Sequence, residues 1–214
     1  MNQAREATPA LPPVVSAAAW QRSRDELMVL EKAATRSLDA LAARRRRLPM
    51  ARFSDYTFTT ATGTTTLRAL FGDNRQLAVY QFMDVGADGF CPGCTHFTRN
   101  VTDLATLAEA GLSWATVSEM PIGQIERLME REGWTLPFVS SRGTTFYRDC
   151  GGDGGFMLSV FLRDGDDIYR TYSTVSRGVD RLLFVNNMLD LAPYGRQEDW
   201  EDSPAGWPQQ PTYG

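Results

Sequence analysis

The sequence predicts an α/β fold: a central mixed sheet flanked by helices, with an extra N-terminal helix and an N-terminal hairpin. Three observations carry this. From Arg75 onward, apolar runs of strand length alternate with helical stretches, the pattern of a partly parallel sheet with helices on its faces. "FMLSVFLRDGDDIYRTYS" holds two β-prone runs about an Asp-Gly turn, an antiparallel addition to that sheet. Upstream, in "DYTFTTATGTTTL", β-prone residues flank Gly63 and read as a hairpin.

The elements follow in chain order. Ser16 is a helix cap, and Pro49 stops the helix that it starts. Within it Trp20, Leu27, Leu30, Ala34, Leu38 and Leu41 recur at three, four or seven residues and make one apolar stripe. That stripe calls for a partner surface, either a homo-oligomer contact through the helix or packing on its own domain. Arg44 to Arg47 occupy the last turn, where cations complement the negative end of the helix dipole. Arg75 to Met83 reads as a buried strand, Pro92 to Gly111 as a helix and Leu112 to Glu119 as a second strand. "PIGQIERLMEREG" follows as a helix with Pro121 in its first turn and Gly133 at its end. After "LPFVSS" and a Gly-rich loop come the two antiparallel strands, then a terminal helix over Gly178 to Leu191. Three segments result: an arm and long amphipathic helix (1–50), the α/β domain (51–193) and an acidic, Pro-rich tail (194–214).

Composition narrows the function. The net charge of -4 and the lack of an extended basic surface argue against a nucleic-acid partner. No run approaches the roughly 18 to 20 apolar residues of a membrane helix. Three cysteines, an odd number, speak against a secreted disulfide framework and place the chain in the cytoplasm.

Two of those cysteines and the single histidine lie in "GADGFCPGCTHF". Cys91 falls at the start of a helix, because Pro92 suits the first helical position. Unpaired backbone N–H groups and the helix dipole stabilise a thiolate there. Cys94 is one turn on, on the same face, and Pro92 and Gly93 stiffen the turn between them. The chemistry that follows is thiol–disulfide exchange: Cys91 attacks a disulfide, Cys94 resolves the mixed disulfide, and an external thiol reductant restores the pair without a cofactor. Asp84 and Asp88 carry charges that oppose a thiolate, and Arg99, two turns along, is either placed to offset them or, with them, part of a solvated loop and helix face. Two alternatives stand beside this enzyme. One is a thiol peroxidase of peroxiredoxin-like type, in which Cys91 becomes sulfenic and condenses with Cys94. The other is a non-catalytic scaffold or zinc-binding module that uses Cys91, Cys94, Cys150 and His96, although His96 sits about 140° around the helix from Cys91.

The stretches "LFGDNRQLAVYQFM", "CPGC", "GWTLPFVSS", "SVFLRDGDDIYRTYS", "RGVD" and "LDLAPYGR" resemble a bacterial family of thioredoxin-like proteins of formerly unknown function, described as predicted dithiol–disulfide oxidoreductases. "VSEMPIGQIERLMEREGWTLPFVSS" is similar in layout to peroxiredoxins as well. The resemblance implies a thioredoxin-like fold, Cys91 and Cys94 as the redox pair, and a protein or small-molecule disulfide as substrate. The chain departs from the family in three places. Gln81 stands where the first strand is expected to carry His below the cysteines, and it can hydrogen-bond but cannot titrate. Thr95 and His96 replace a serine and aromatic pair, and "GGDGGFMLSVF" has no proline beside the motif.

Overall fold

Ser16 accepts the Ala19 N–H through its hydroxyl at 3.3 Å and starts a helix of 29 residues, α1 (Ala17–Arg45). The computed structural model describes residues 10–210, so the first nine residues of the expected arm and the last four of the tail lie outside the described residues. Two compact units divide the chain, one formed by residues 1–48 with 185–214 and one by residues 49–184. Residues 185–193 therefore group with α1 and the tail. In that first unit the Tyr194 hydroxyl donates to the Ala10 carbonyl at 3.1 Å, and Arg196 pairs with Asp190 at 2.7 Å. Among the described residues no helix is long and apolar enough to cross a membrane.

The second unit is built on one eight-stranded sheet. Its strands are β1 (Ala51–Phe53), β2 (Thr57–Thr60), β3 (Gly63–Thr66), β4 (Gln76–Phe82), β5 (Leu112–Ser118), β6 (Phe138–Ser140), β7 (Met157–Asp164) and β8 (Asp167–Val175). Their spatial order is β1-β8-β7-β4-β5-β6-β2-β3. β4 runs parallel to β5, as β5 does to β6, while β7 and β8 lie antiparallel on the other side of β4. The hairpin β2–β3 and the β7–β8 pair match the sequence expectation, with Gly165 at φ 57 in the Asp-Gly turn, a conformation that needs no Cβ. β1, three residues long, was not legible in the sequence.

Helices connect the strands. α2 (Pro92–Arg99) and α3 (Leu104–Glu109) follow β4, α4 (Ile122–Glu132) follows β5, and α5 (Phe146–Asp149) follows β6. Gly133, left-handed at φ 69, ends α4 as its place in the sequence predicts. The single helix expected over Pro92 to Gly111 is instead two. Asp103 turns left-handed and its carboxylate accepts the Thr106 N–H at 3.2 Å, so this side chain caps a new helix rather than extending the old one. The terminal helix is also divided, into a 3-10 stretch (Ser176–Leu182) and α6 (Phe184–Leu189). The Leu183 N–H bonds three residues back, to the Asp180 carbonyl at 3.0 Å, and Leu183 itself is extended, which interrupts α-helical winding.

β4 is buried on both faces after Gln76, which is why it occupies the middle of the sheet. Its alternate side chains enter two separate cores. Ala78, Tyr80 and Phe82 meet Phe97 of α2, Ile125 and Leu128 of α4, and Val179 and Leu183. Leu77 and Val79 face the other way, toward Phe58, Phe71, Phe146 and Cys150. On the first face the Tyr80 ring stacks on Phe97 with centroids 4.1 Å apart, and Trp114 lies near-parallel to both. Such a pair adds about 0.5–1.5 kcal/mol beyond area burial. It fixes α2, and with it the cysteines, over the end of β4.

Candidate functional site

The loop leaving β4 turns back on itself before α2. The Asp84 carboxylate accepts the Gly86 N–H at 2.9 Å, and the buried Gln124 amide of α4 donates to the carbonyls of Gly86 (2.8 Å) and Gly89 (3.2 Å). Phe90 packs under the Arg131 guanidinium, 4.6 Å from its ring centroid. These contacts deliver Cys91 to the first position outside α2, with Pro92 at the helix start. The Thr95 and Thr98 hydroxyls donate to the carbonyls of Cys91 and Cys94, each at 2.9 Å, so both buried threonines are satisfied within the helix.

Each of the two sulfurs has its own backbone donor. Cys91 Sγ accepts the Cys94 N–H at 3.2 Å, and the Met83 N–H points at Cys94 Sγ from 3.5 Å. The Cys94 thiol, which donates toward Cys91, does most to lower the Cys91 pKa. The N–H groups of Cys94 and Gly93 add to this, burial opposes it, and the result is about 6. Cys94 moves the other way. Its pKa is raised by that same interaction with Cys91 and by burial, against the smaller lowering effects of the Tyr80 hydroxyl and the Met83 N–H. At neutral pH the pair is therefore a thiolate at Cys91 held by a thiol at Cys94. Cys94 is fully buried, Cys91 is 8% exposed, and all three cysteines are free thiols. The Met83 thioether lies 3.8 Å from Cys91 Sγ and covers it.

Cys91, Cys94, Pro92 and Gly93 are thus brought together. Gln81 is not. Strand alternation sends it to the opposite face of the sheet, 2% exposed, so the group expected below the cysteines lies across β4 from them. Its amide oxygen and nitrogen have no hydrogen-bond partner of ordinary geometry. The residue that does lie on the cysteine side is Tyr80, whose buried hydroxyl acts on Cys94. Arg99 is engaged by Glu132 of α4 at 2.7 Å, and Glu132 also bonds Arg131, so Arg99 clamps two helices while Asp84 and Asp88 stay exposed. His96 is half-buried on α2. Cys150 belongs to the other core, so the four residues of the zinc alternative are split across the sheet. Among the described residues no three His, Cys, Asp or Glu side chains gather as a metal site requires.

Sequence reading missed Tyr80, Met83 and Gln124. Period-two alternation groups Tyr80 with Phe82, but a strand apolar on both faces does not say which face meets the helix.

A parallel β4–α2–β5 unit, an antiparallel β7–β8 pair on the far side of β4, and a dithiol at the start of the first helix define a thioredoxin-like fold. The chain belongs to a family of bacterial proteins of unknown function, DUF899, whose model matches residues 9–213. Among solved structures it is similar to the peroxidoxin BcpB of Mycobacterium tuberculosis, at 19% identity over 63% of this chain and 93% of that one, with a TM-score of 0.48. A hypothetical protein of Sinorhizobium meliloti 1021 is 16% identical over 58% of this chain and 68% of that one, with a TM-score of 0.45. A secreted disulfide oxidoreductase of Mycobacterium tuberculosis, homologous to DsbE of E. coli, is 13% identical over 59% and 90%, with a TM-score of 0.42. No curated protein matches the chain.

Proposed function

We propose that this chain is a thiol–disulfide oxidoreductase in which Cys91 is the nucleophile and Cys94 the resolving thiol. One observation carries the reading: Cys91 sits at the helix start with its pKa lowered to about 6, directly above a Cys94 thiol whose pKa is raised. The Cys91 thiolate attacks one sulfur of a protein or small-molecule disulfide, forming a mixed disulfide and releasing the other sulfur as thiolate. Cys94 then loses its proton to the departing sulfur and attacks Cys91, closing the internal disulfide and freeing the second thiol. Two electrons from an external dithiol restore the pair, and no cofactor takes part. Pro92 and Gly93 set the turn, and the Gly93 N–H helps to hold the thiolate. Because a stabilised thiolate stabilises the reduced form, the pair is a stronger oxidant than an unperturbed dithiol. A cytoplasmic location fits three free cysteines.

The test follows iodoacetamide alkylation of Cys91 against pH, together with turnover of a protein disulfide in the presence of dithiothreitol. The expected midpoint is near 6, with turnover lost in Cys91→Ser and a mixed disulfide trapped in Cys94→Ser. A midpoint near 9 without turnover would sink the proposal, and turnover of peroxide but not of disulfide would replace it with a thiol peroxidase.

A further inference from the structure

We propose that α1 pairs antiparallel with α1 of a second copy of this chain, about a two-fold axis through Ala34. The stripe on α1 is not covered: Trp20, Leu27, Leu30, Leu38, Leu41 and Leu48 are 44% to 66% exposed, and no residue of the helix is buried. An apolar stripe of this length left in water marks an interaction surface.

The spacing of the stripe identifies the occupant. Leu30 and Leu38 lie four residues either side of Ala34, Leu27 and Leu41 seven, and Trp20 and Leu48 fourteen. At about 100° per residue, the helical members all fall within about 40° of the line through Ala34. A stripe that reads the same in both directions is self-complementary under a perpendicular two-fold axis, which sets Leu27 against Leu41 of the second copy and Leu30 against Leu38. The small Ala34 at the centre allows the two helices to approach closely.

Charge selects the antiparallel sense. A parallel pair would stack Arg44 to Arg47 of one copy beside the same four arginines of the other. Reversal instead lays each arginine end along the half of the partner helix in which Asp25, Glu26 and Glu31 balance Arg22, Arg24 and Lys32. Glu26 and Arg44 lie about 80° from the stripe on the same flank, about 12 and 15 Å from Ala34 in opposite directions. Each Glu26 therefore meets Arg44 of the second copy, twice by symmetry. Arg24, on the other flank, is already engaged by Glu31 at 2.9 Å. The stripe covers an area about 40 Å long and 10 Å wide, so the pair buries less than the roughly 1,200 Å² of a standard stable interface. The dimer is reversible and forms as concentration rises.

Sedimentation velocity across a wide concentration range tests this on the full chain. The 23.9 kDa monomer should give way to a species of twice that mass, and the Leu30→Glu/Leu38→Glu variant should stay monomeric with unchanged far-UV circular dichroism. Glu26→Arg and Arg44→Glu should each weaken association roughly tenfold, and their combination should restore it. A wild-type chain that is monomeric throughout, self-association unchanged by the two leucine substitutions, or a charge swap without rescue would each overturn the proposal.

Discussion

Cys91 and Cys150 are both buried thiols packed on β4, one on each face, and their environments push them in opposite directions. Cys150, 2% exposed, is raised to about 11, mainly by burial. Cys91, 8% exposed, is lowered to about 6. Burial raises both, so burial does not distinguish a reactive cysteine from a structural one. What separates them is the donor set: a helix start and a neighbouring thiol for Cys91, and for Cys150 only the weaker opposing effects of Arg170, Gln81 and Ser159. The sharpest way to break this comparison is to remove each thiol in turn. Cys91→Ser should lower disulfide turnover on the order of 10³-fold or more, while Cys150→Ser leaves it within about twofold. Steady-state turnover of a protein disulfide decides this, and equal losses in both variants would remove the distinction.

The same contrast should appear in stability against pH. Cys91 has a folded pKa below its ordinary 9.0, so its contribution is present above pH 9 and is lost as pH falls toward 6. Cys150 has a folded pKa above 9.0, so stability falls as pH rises from 9 toward 11, and Cys94, also raised, adds to that alkaline loss. At about 1.4 kcal/mol per pKa unit, the Cys150 share of the alkaline limb amounts to about 3 kcal/mol. Urea titrations at fixed pH values check this. Cys91→Ala should flatten the rise between pH 6 and 9, and Cys150→Ala should reduce the fall above 9.

The motif side of this contrast was legible and the sheet side was not. Cys91 at a helix start follows from Pro92 alone, and Gly133 and the Asp-Gly turn follow from backbone preferences that act locally. The face that Gln81 occupies does not follow. In "QLAVYQF" both sets of alternate residues are buried, so polarity gives no direction, and only the docking of Phe97 on Tyr80 shows that Tyr80 and not Gln81 lies with the cysteines. The break between α2 and α3 left a local signal in Asp103, but a capping aspartate looks the same as a surface one until its φ is known. β6, within "LPFVSS", has no element assigned from the sequence, because its three residues become a strand by pairing with β5.

A smaller effect concerns access. Met83 covers Cys91 from 3.8 Å, and removing its thioether opens the thiolate without touching its N–H donors. Met83→Ala should raise the rate of Cys91 alkylation several-fold at pH 7 while its pH midpoint stays near 6, because the thiolate is set by Cys94 and Gly93 and not by the thioether. An unchanged rate would show that access is governed elsewhere, and a shifted midpoint would show that Met83 tunes the charge.

The smallest effect lies on the Cys150 face. Gln81 is buried beside the Cys150 thiol with no hydrogen bond of ordinary geometry at its amide, and a buried donor or acceptor left unpaired costs about 1–3 kcal/mol. Methionine matches glutamine in length and carries no strong donor or acceptor, so Gln81→Met should stabilise the fold by about 1 kcal/mol. For a chain of this size that corresponds to a rise of about 2–4 °C in Tm. The substitution also removes the only contribution Gln81 makes to a thiol, the lowering of Cys150, so the Cys150 pKa should rise further while that of Cys91 does not move. A fall in Tm would mean that the amide is paired in solution. A change in Cys91 alkylation would mean that the two faces of β4 are electrostatically coupled, which the separation of the two cores argues against.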